Sequence, residues 1–140
     1  MISSKAQVSL EFLLVFAAFL GVLGLFAPLI SQLYSKSVFG LDVLEGRRFS
    51  DDFLFRASEL ALMGDESAFL VAARPKNPWF LSVRENLFVL SIKSSSGFEH
   101  EFIRTLPIRC EPFSASFDSP VFFRLLREKN SIVIDADSDS

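Results

Sequence analysis

The chain has 140 residues, 50% of them hydrophobic, with 17 Phe and a formal net charge of −3. That length holds one small domain at most, and so small a charge without a long basic run excludes the electrostatic footprint of a nucleic-acid binder. A single cysteine, Cys110, excludes an intrachain disulfide and a Cys-based zinc site.

Near the N-terminus, Lys5-Ala6-Gln7-Val8-Ser9-Leu10-Glu11 abuts an uncharged run from Phe12 to Ile30. As a helix rising about 1.5 Å per residue, that run spans roughly 28 Å, close to the hydrocarbon thickness of a bilayer. A secretory signal has a shorter apolar region of about 7–15 residues and then a small-x-small cleavage site. Here the chain runs on through Pro28-Leu29-Ile30-Ser31, so a retained transmembrane helix is expected, with any processing signal ahead of it.

Gln7, Ser9 and Glu11, at the lip of that run, match a spaced Gln-x-Ser-x-Glu signature. In this the chain resembles archaeal type IV pilin-like precursors with a class III signal peptide. The resemblance implies a membrane prepilin-type aspartyl peptidase as a partner, cutting on the cytoplasmic side between Ala6 and Gln7. It also implies Lys5 in a discarded leader, residues 1–6, and the apolar helix kept on the mature subunit. The family usually has Leu four residues after the Glu, where this chain has Val15. The likeness covers the first 30 or so residues; beyond Ile30 it is one of layout, a helix followed by a strand-rich head.

Within residues 7–30, the assembly helix, Ala17, Gly21, Gly24 and Pro28 recur at offsets of four, three and four and share one stripe. Small residues on a stripe let helices approach closely, and the resemblance makes other pilin subunits the expected neighbours. Pro28 removes a backbone donor and crowds the turn before it, so a bend or loosened turn is expected near Gly24.

An amphipathic stalk, residues 31–64, follows. Leu33, Val38, Leu41, Val43 and Leu44 alternate with polar residues, and Gly40 and Gly46 each lower helix propensity by about 1 kcal/mol, so a break near either is expected. Ser50 reads as an N-cap with Asp51 and Asp52 in the first turn, and Gly64 as a C-cap. Phe49, Phe53, Ala57, Leu60 and Ala61 form the stripe that docks on a sheet. The expectation is two helices, or one long interrupted helix.

Residues 65–140 carry strand punctuation. Ala68 to Ala73 is an apolar run closed by Arg74-Pro75-Lys76-Asn77-Pro78. Trp79 to Val83 and Leu87 to Lys93 follow, and Ser94-Ser95-Ser96-Gly97 turns into Phe98 to Ile103 as a hairpin. Pro107 and Pro112 interrupt the next stretch, before Phe113 to Phe117, Val121 to Leu126 and Ser131 to Ile134, with Leu125-Leu126-Arg127 open to a helical turn instead. Short strands with short turns favour antiparallel pairing, giving an α+β chain: a long apolar helix, an amphipathic helix and a small antiparallel β-rich head.

No chemistry-bearing constellation emerges. Glu99-His100-Glu101 on a strand puts both carboxylates on one face and the histidine on the other, as on a solvated surface strand. Cys110 reads as a small apolar filler, with interchain pairing as the alternative. The acidic tail Asp135-Ala136-Asp137-Ser138-Asp139-Ser140 lacks the glycine and bidentate Glu of an EF-hand. Catalysis, metals and cofactors are not expected. The leading expectation is a pilin-like structural subunit, single-pass in the membrane with its head outside the cytoplasm. The alternative is a membrane-anchored extracytoplasmic binding module that does not polymerise. Lys5 before the span and Lys36, Arg47 and Arg48 after it leave the positive-inside count undecided, so the resemblance carries the orientation.

Overall fold

A computed structural model describes residues 4–137. Met1 to Ser3 of the expected leader and Ser138 to Ser140 of the acidic tail lie outside the described residues. The chain is α+β: helix α1 (Ser4–Leu62), then β1 (Ala68–Ala73), β2 (Trp79–Lys93), β3 (Glu99–Phe117), β4 (Val121–Glu128) and β5 (Ser131–Asp137). It divides into two packing units, one ending at Ser37 and one starting at Val38.

The expected break in the helical region is absent, since α1 is continuous through Pro28, Gly40 and Gly46. Gly46 is kept for packing: a Cβ there would lie 2.5 Å from Ile92 Cδ1 and 3.2 Å from Phe102 Cε2. Ser50 is no N-cap. It lies buried inside α1, where its hydroxyl donates to the Gly46 carbonyl (2.9 Å). Asp51 and Asp52 therefore sit in mid-helix, Asp51 3.9 Å from Arg104 and Asp52 3.7 Å from Arg56.

The helix ends where expected, but Gly64 is not its cap. Arg127 reaches across from β4 and its guanidinium donates to the carbonyls of Leu60 (2.7 Å), Ala61 (2.8 Å) and Met63. A cation satisfying the last carbonyls also meets the negative end of the helix dipole. The left-handed residue of the exit turn is Glu66, with φ 69°.

Five strands replace the six or seven expected, because the prolines and polar interruptions of β2 and β3 are absorbed as bulges. The register slips between Val83↔Phe113, Glu85↔Cys110 and Leu87↔Thr105. Pro107 and Pro112 fall in those slips, where no ladder N–H is needed, and Glu85 takes φ 53°. Leu125-Leu126-Arg127 is strand, paired with β1 and β5.

The sheet order is β1-β4-β5-β3-β2. Pairing is antiparallel apart from one short parallel contact, Arg109↔Ser131 and Cys110↔Ile132, between β3 and β5. At the bulges β2 bends so far that the Lys93 N–H donates to the Pro78 carbonyl at its own beginning (3.2 Å). The folded sheet encloses the stripe of Phe49, Phe53, Ala57 and Leu60, which buries against Trp79, Leu81, Phe88, Leu90, Phe123 and Leu125.

The two helix glycines should respond oppositely to a side chain. Gly40→Ala, in open space, should stabilise the unit by about 1 kcal/mol through helix propensity. Gly46→Leu should destabilise it by about 1–3 kcal/mol, because the new side chain overpacks Ile92 and Phe102. Urea unfolding of the full chain in detergent, followed by Trp79 fluorescence, measures both.

Candidate functional site

All residues of the signature lie on α1 and are exposed. Helical spacing puts Gln7 and Glu11 one turn apart on the same face, so a chain starting at Gln7 would carry its α-amino group within a turn of the Glu11 carboxylate. The Ala6-Gln7 bond lies close to the described start of α1 (Ser4–Leu62).

From Phe12 to Ile30 the helix is uncharged, and its most apolar stretch of 18 residues has mean hydropathy 2.6 with none of it buried. This is one helix long and apolar enough to cross a membrane. Ala17, Gly21, Gly24 and Pro28 are all exposed, and a Cβ at Gly21 or Gly24 meets nothing within 4 Å. Phe12 and Phe16 stack with ring centroids 6.2 Å apart. The small-residue stripe is thus presented without a partner inside the described chain.

In the second unit a buried carboxylate ties two distant segments together. Asp42, fully buried, accepts hydrogen bonds from the backbone N–H of Lys76 (2.9 Å) and Asn77 (3.0 Å) and from the Asn77 side chain (3.0 Å). Three donors satisfy a carboxylate that burial would otherwise penalise, and they hold the proline loop onto the helix. Sequence reasoning missed Asp42 and Arg127 because their partners lie more than 30 residues away and the partner groups are largely backbone, which leaves no residue-type signal.

His100 packs its ring edge against Phe102 at 4.6 Å, on the face away from Glu99, which lies 3.7 Å from Lys93. Asp135 and Asp137 lie on β5, while Asp139 is outside the described residues. Among the described residues no three His, Cys, Asp or Glu side chains gather as a metal set. The surface has open hollows, one of about 340 Å³ beside the bulges, lined by Glu85, Arg109, Cys110, Glu111, Asn130 and Ser131 among others. Cys110 is a buried free thiol whose pKa is pushed up to about 11 by desolvation.

Comparison with protein-family models, with curated proteins and with solved structures returned no match.

Burial makes a definite prediction for Cys110. Its folded pKa lies above the unfolded value, so the thiol stays protonated well beyond pH 9, and any stability it lends through protonation is lost as pH rises toward 11. At pH 8 a maleimide should label the native chain far more slowly than the urea-unfolded chain. Equal rates would show the thiol to be exposed.

Proposed function

We propose that this chain is a non-catalytic, pilin-like structural subunit. It is made as a membrane precursor, clipped by a prepilin-type peptidase between Ala6 and Gln7, and held by its N-terminal helix with the head outside the cytoplasm. It is then incorporated into a surface filament or complex of like subunits. The observation that carries this reading is the juxtaposition of Gln7, Ser9 and Glu11 with a membrane-length apolar helix that none of the described residues buries. Assembly would replace lipid around Phe12 to Ile30 with neighbouring helices and keep the run buried. The exposed stripe of Ala17, Gly21, Gly24 and Pro28 suits close approach of a second helix, whose gain in lipid comes from packing.

Glu11 gives the reading its electrostatic content. A carboxylate in hydrocarbon costs about 2.5–3.5 kcal/mol at a helix centre on the insertion scale, and less at the edge. The amine released at Gln7, on the same chain or a neighbour, offsets that cost once cleavage has occurred.

The mature chain should start at Gln7, and intact-mass analysis of membrane or filament fractions should show loss of Met1 to Ala6. Ala6→Asp should block that loss while leaving membrane insertion intact, because insertion depends on Phe12 to Ile30. A mature start beyond Pro28, or an uncut chain beside an active peptidase, rejects the proposal.

Glu11→Leu should be processed and retained in the membrane yet fail to enter filaments, since each subunit would bring an uncompensated amine into the helical bundle. Glu11→Gln, which keeps the shape without the charge, should fail likewise. The ratio of filament-incorporated to membrane-retained subunit, with cleavage checked by mass, is the measurement, and wild-type ratios in both variants would make the charge dispensable.

A further inference from the structure

The two edges of the sheet differ in a way that points to a partner. The β2 edge is interrupted by Arg84, Glu85 and Asn86 at its bulge, and its strand bends until its two ends bond to each other. Charge, bulges and strong bending are the devices that keep an exposed strand from pairing further. The β1 edge has none of them. Ala68-Phe69-Leu70-Val71-Ala72-Ala73 pairs with β4 in unbroken register, contains no charge and no proline, and leaves Leu70 61% exposed. Among the described residues no hydrogen bond reaches β1 from its other side. An open hollow of about 310 Å³ near the end of β1 is lined by Ala72 and Arg74 and by Glu45, Arg48, Phe49 and Asp52 of α1.

We propose that β1 pairs antiparallel with β1 of a second copy of this chain, about a two-fold axis at Leu70. The argument is self-complementarity. Alternating residues of β1 face opposite sides of the sheet, Phe69, Val71 and Ala73 toward the helix and Ala68, Leu70 and Ala72 away from it. Only registers that oppose like faces keep the apolar residues on their own side. Centring on Leu70 does so: Ala68 opposes Ala72, Leu70 opposes Leu70, and Phe69 opposes Val71, an aromatic-to-β-branched pair that stabilises sheets. The same register brings Glu66, just before the strand, toward Arg74, just after it, on the other copy, and does so twice. The alternative, β1 against the Trp79 to Arg84 arm of a neighbour's β2, gains Glu66 against Arg84 only in a register that sets Arg74 against Lys76.

The symmetry has a consequence for orientation. The packed helix runs against β1: Asp42 holds the loop that follows β1, whereas Leu60 to Met63 meet Arg127, which bonds the backbone beside the start of β1. A two-fold that reverses β1 therefore reverses residues 38–62 as well, so the two heads meet from opposite directions. This pairing stands independently of the N-terminal processing and assembly proposed above.

The test is site-specific cross-linking of the full-length chain, dilute in detergent, under mild copper-phenanthroline oxidation. Directly opposed residues of an antiparallel pair have Cα atoms about 4.5–5.5 Å apart, within disulfide range. Leu70→Cys should give a disulfide dimer on a non-reducing gel, at least about tenfold more than Ala68→Cys alone, whose copies lie about 13 Å apart across the axis. Ala68→Cys mixed with Ala72→Cys should give the heterodimer. The native Cys110, buried and protonated, stays out of the reaction. Glu66→Lys in the Leu70→Cys chain should reduce the dimer, and adding Arg74→Glu should restore it. Equal cross-linking at Leu70→Cys, Ala68→Cys and Phe80→Cys would mean collisions within micelles and would overturn the proposal. So would absence of a Leu70→Cys dimer, or preferential joining of Leu70→Cys to Phe80→Cys in a mixture. None of these outcomes bears on whether the mature chain begins at Gln7.

Discussion

Phe49 sits where the head's several segments converge. Its ring lies 5.9 Å from Trp79, 6.2 Å from Phe88, 5.7 Å from Phe123 and 6.1 Å from Phe53. Trp79 and Phe88 belong to the two arms of one strand, so a single helical side chain can meet both only if β2 folds over. The bulges between Val83 and Leu87 provide that fold, and the hydrogen bond from Lys93 to Pro78 closes it. Each fully buried aromatic or aliphatic side chain in this cluster contributes about 1.5–3 kcal/mol, whereas the slips leave only a few ladder positions unpaired. The helix stripe and the bent hairpin are thus two halves of one packing solution.

Two polar side chains fix the helix on that cluster from opposite ends of its buried stretch. Asp42 accepts from backbone N–H groups at one end, and Arg127 donates to backbone carbonyls at the other. Asp42 is itself fully buried, so its donors remove a desolvation penalty as well as adding contacts, and Arg127 satisfies helix-end carbonyls that have no intrahelical donor. Arg127 is itself part of β4 and bonds its own backbone to Glu66 and Ser67. The C-terminus of the helix, the turn after it and the start of β1 are therefore held by one residue, and Gly64 is not needed as a cap.

What the sequence made legible follows the range of the forces involved. Local periodicity identified the stripe of Phe49, Phe53, Ala57 and Leu60, the limits of β1 and the hairpin turn ending at Gly97, which takes φ 88°. It failed wherever a distant contact overrode a local preference. Ser50 looks like a cap by residue type, but inside a packed helix its hydroxyl turns back to Gly46. Gly46 looks like a breaker, yet any side chain there would run into Ile92. Pro107 and Pro112 look like strand ends because a regular ladder cannot hold them, and only the bend demanded by the core makes the ladder irregular there. The proposed signature from Lys5 to Glu11 rests instead on residue identity and on distance from the apolar run, and no tertiary contact among the described residues bears on it.

One helix thus presents two surfaces, each set by its residues rather than by helix propensity. Around Phe12 to Ile30 there is no polar face, so in water every direction is penalised, and the side chains lie exposed in the isolated chain. From Asp42 to Leu60 only one stripe is buried, with Arg47, Arg48, Asp51 and Asp52 on the remainder. A sheet can satisfy a stripe, but an all-round apolar surface needs a surrounding of lipid or of other apolar helices. Among the described residues the sheet packs on the second segment, and the first is left exposed. That need for an apolar surrounding is physical and holds whether lipid or helices supply it, and among the described residues Glu11 is the acidic group at the N-terminal rim of the run, one turn from Gln7.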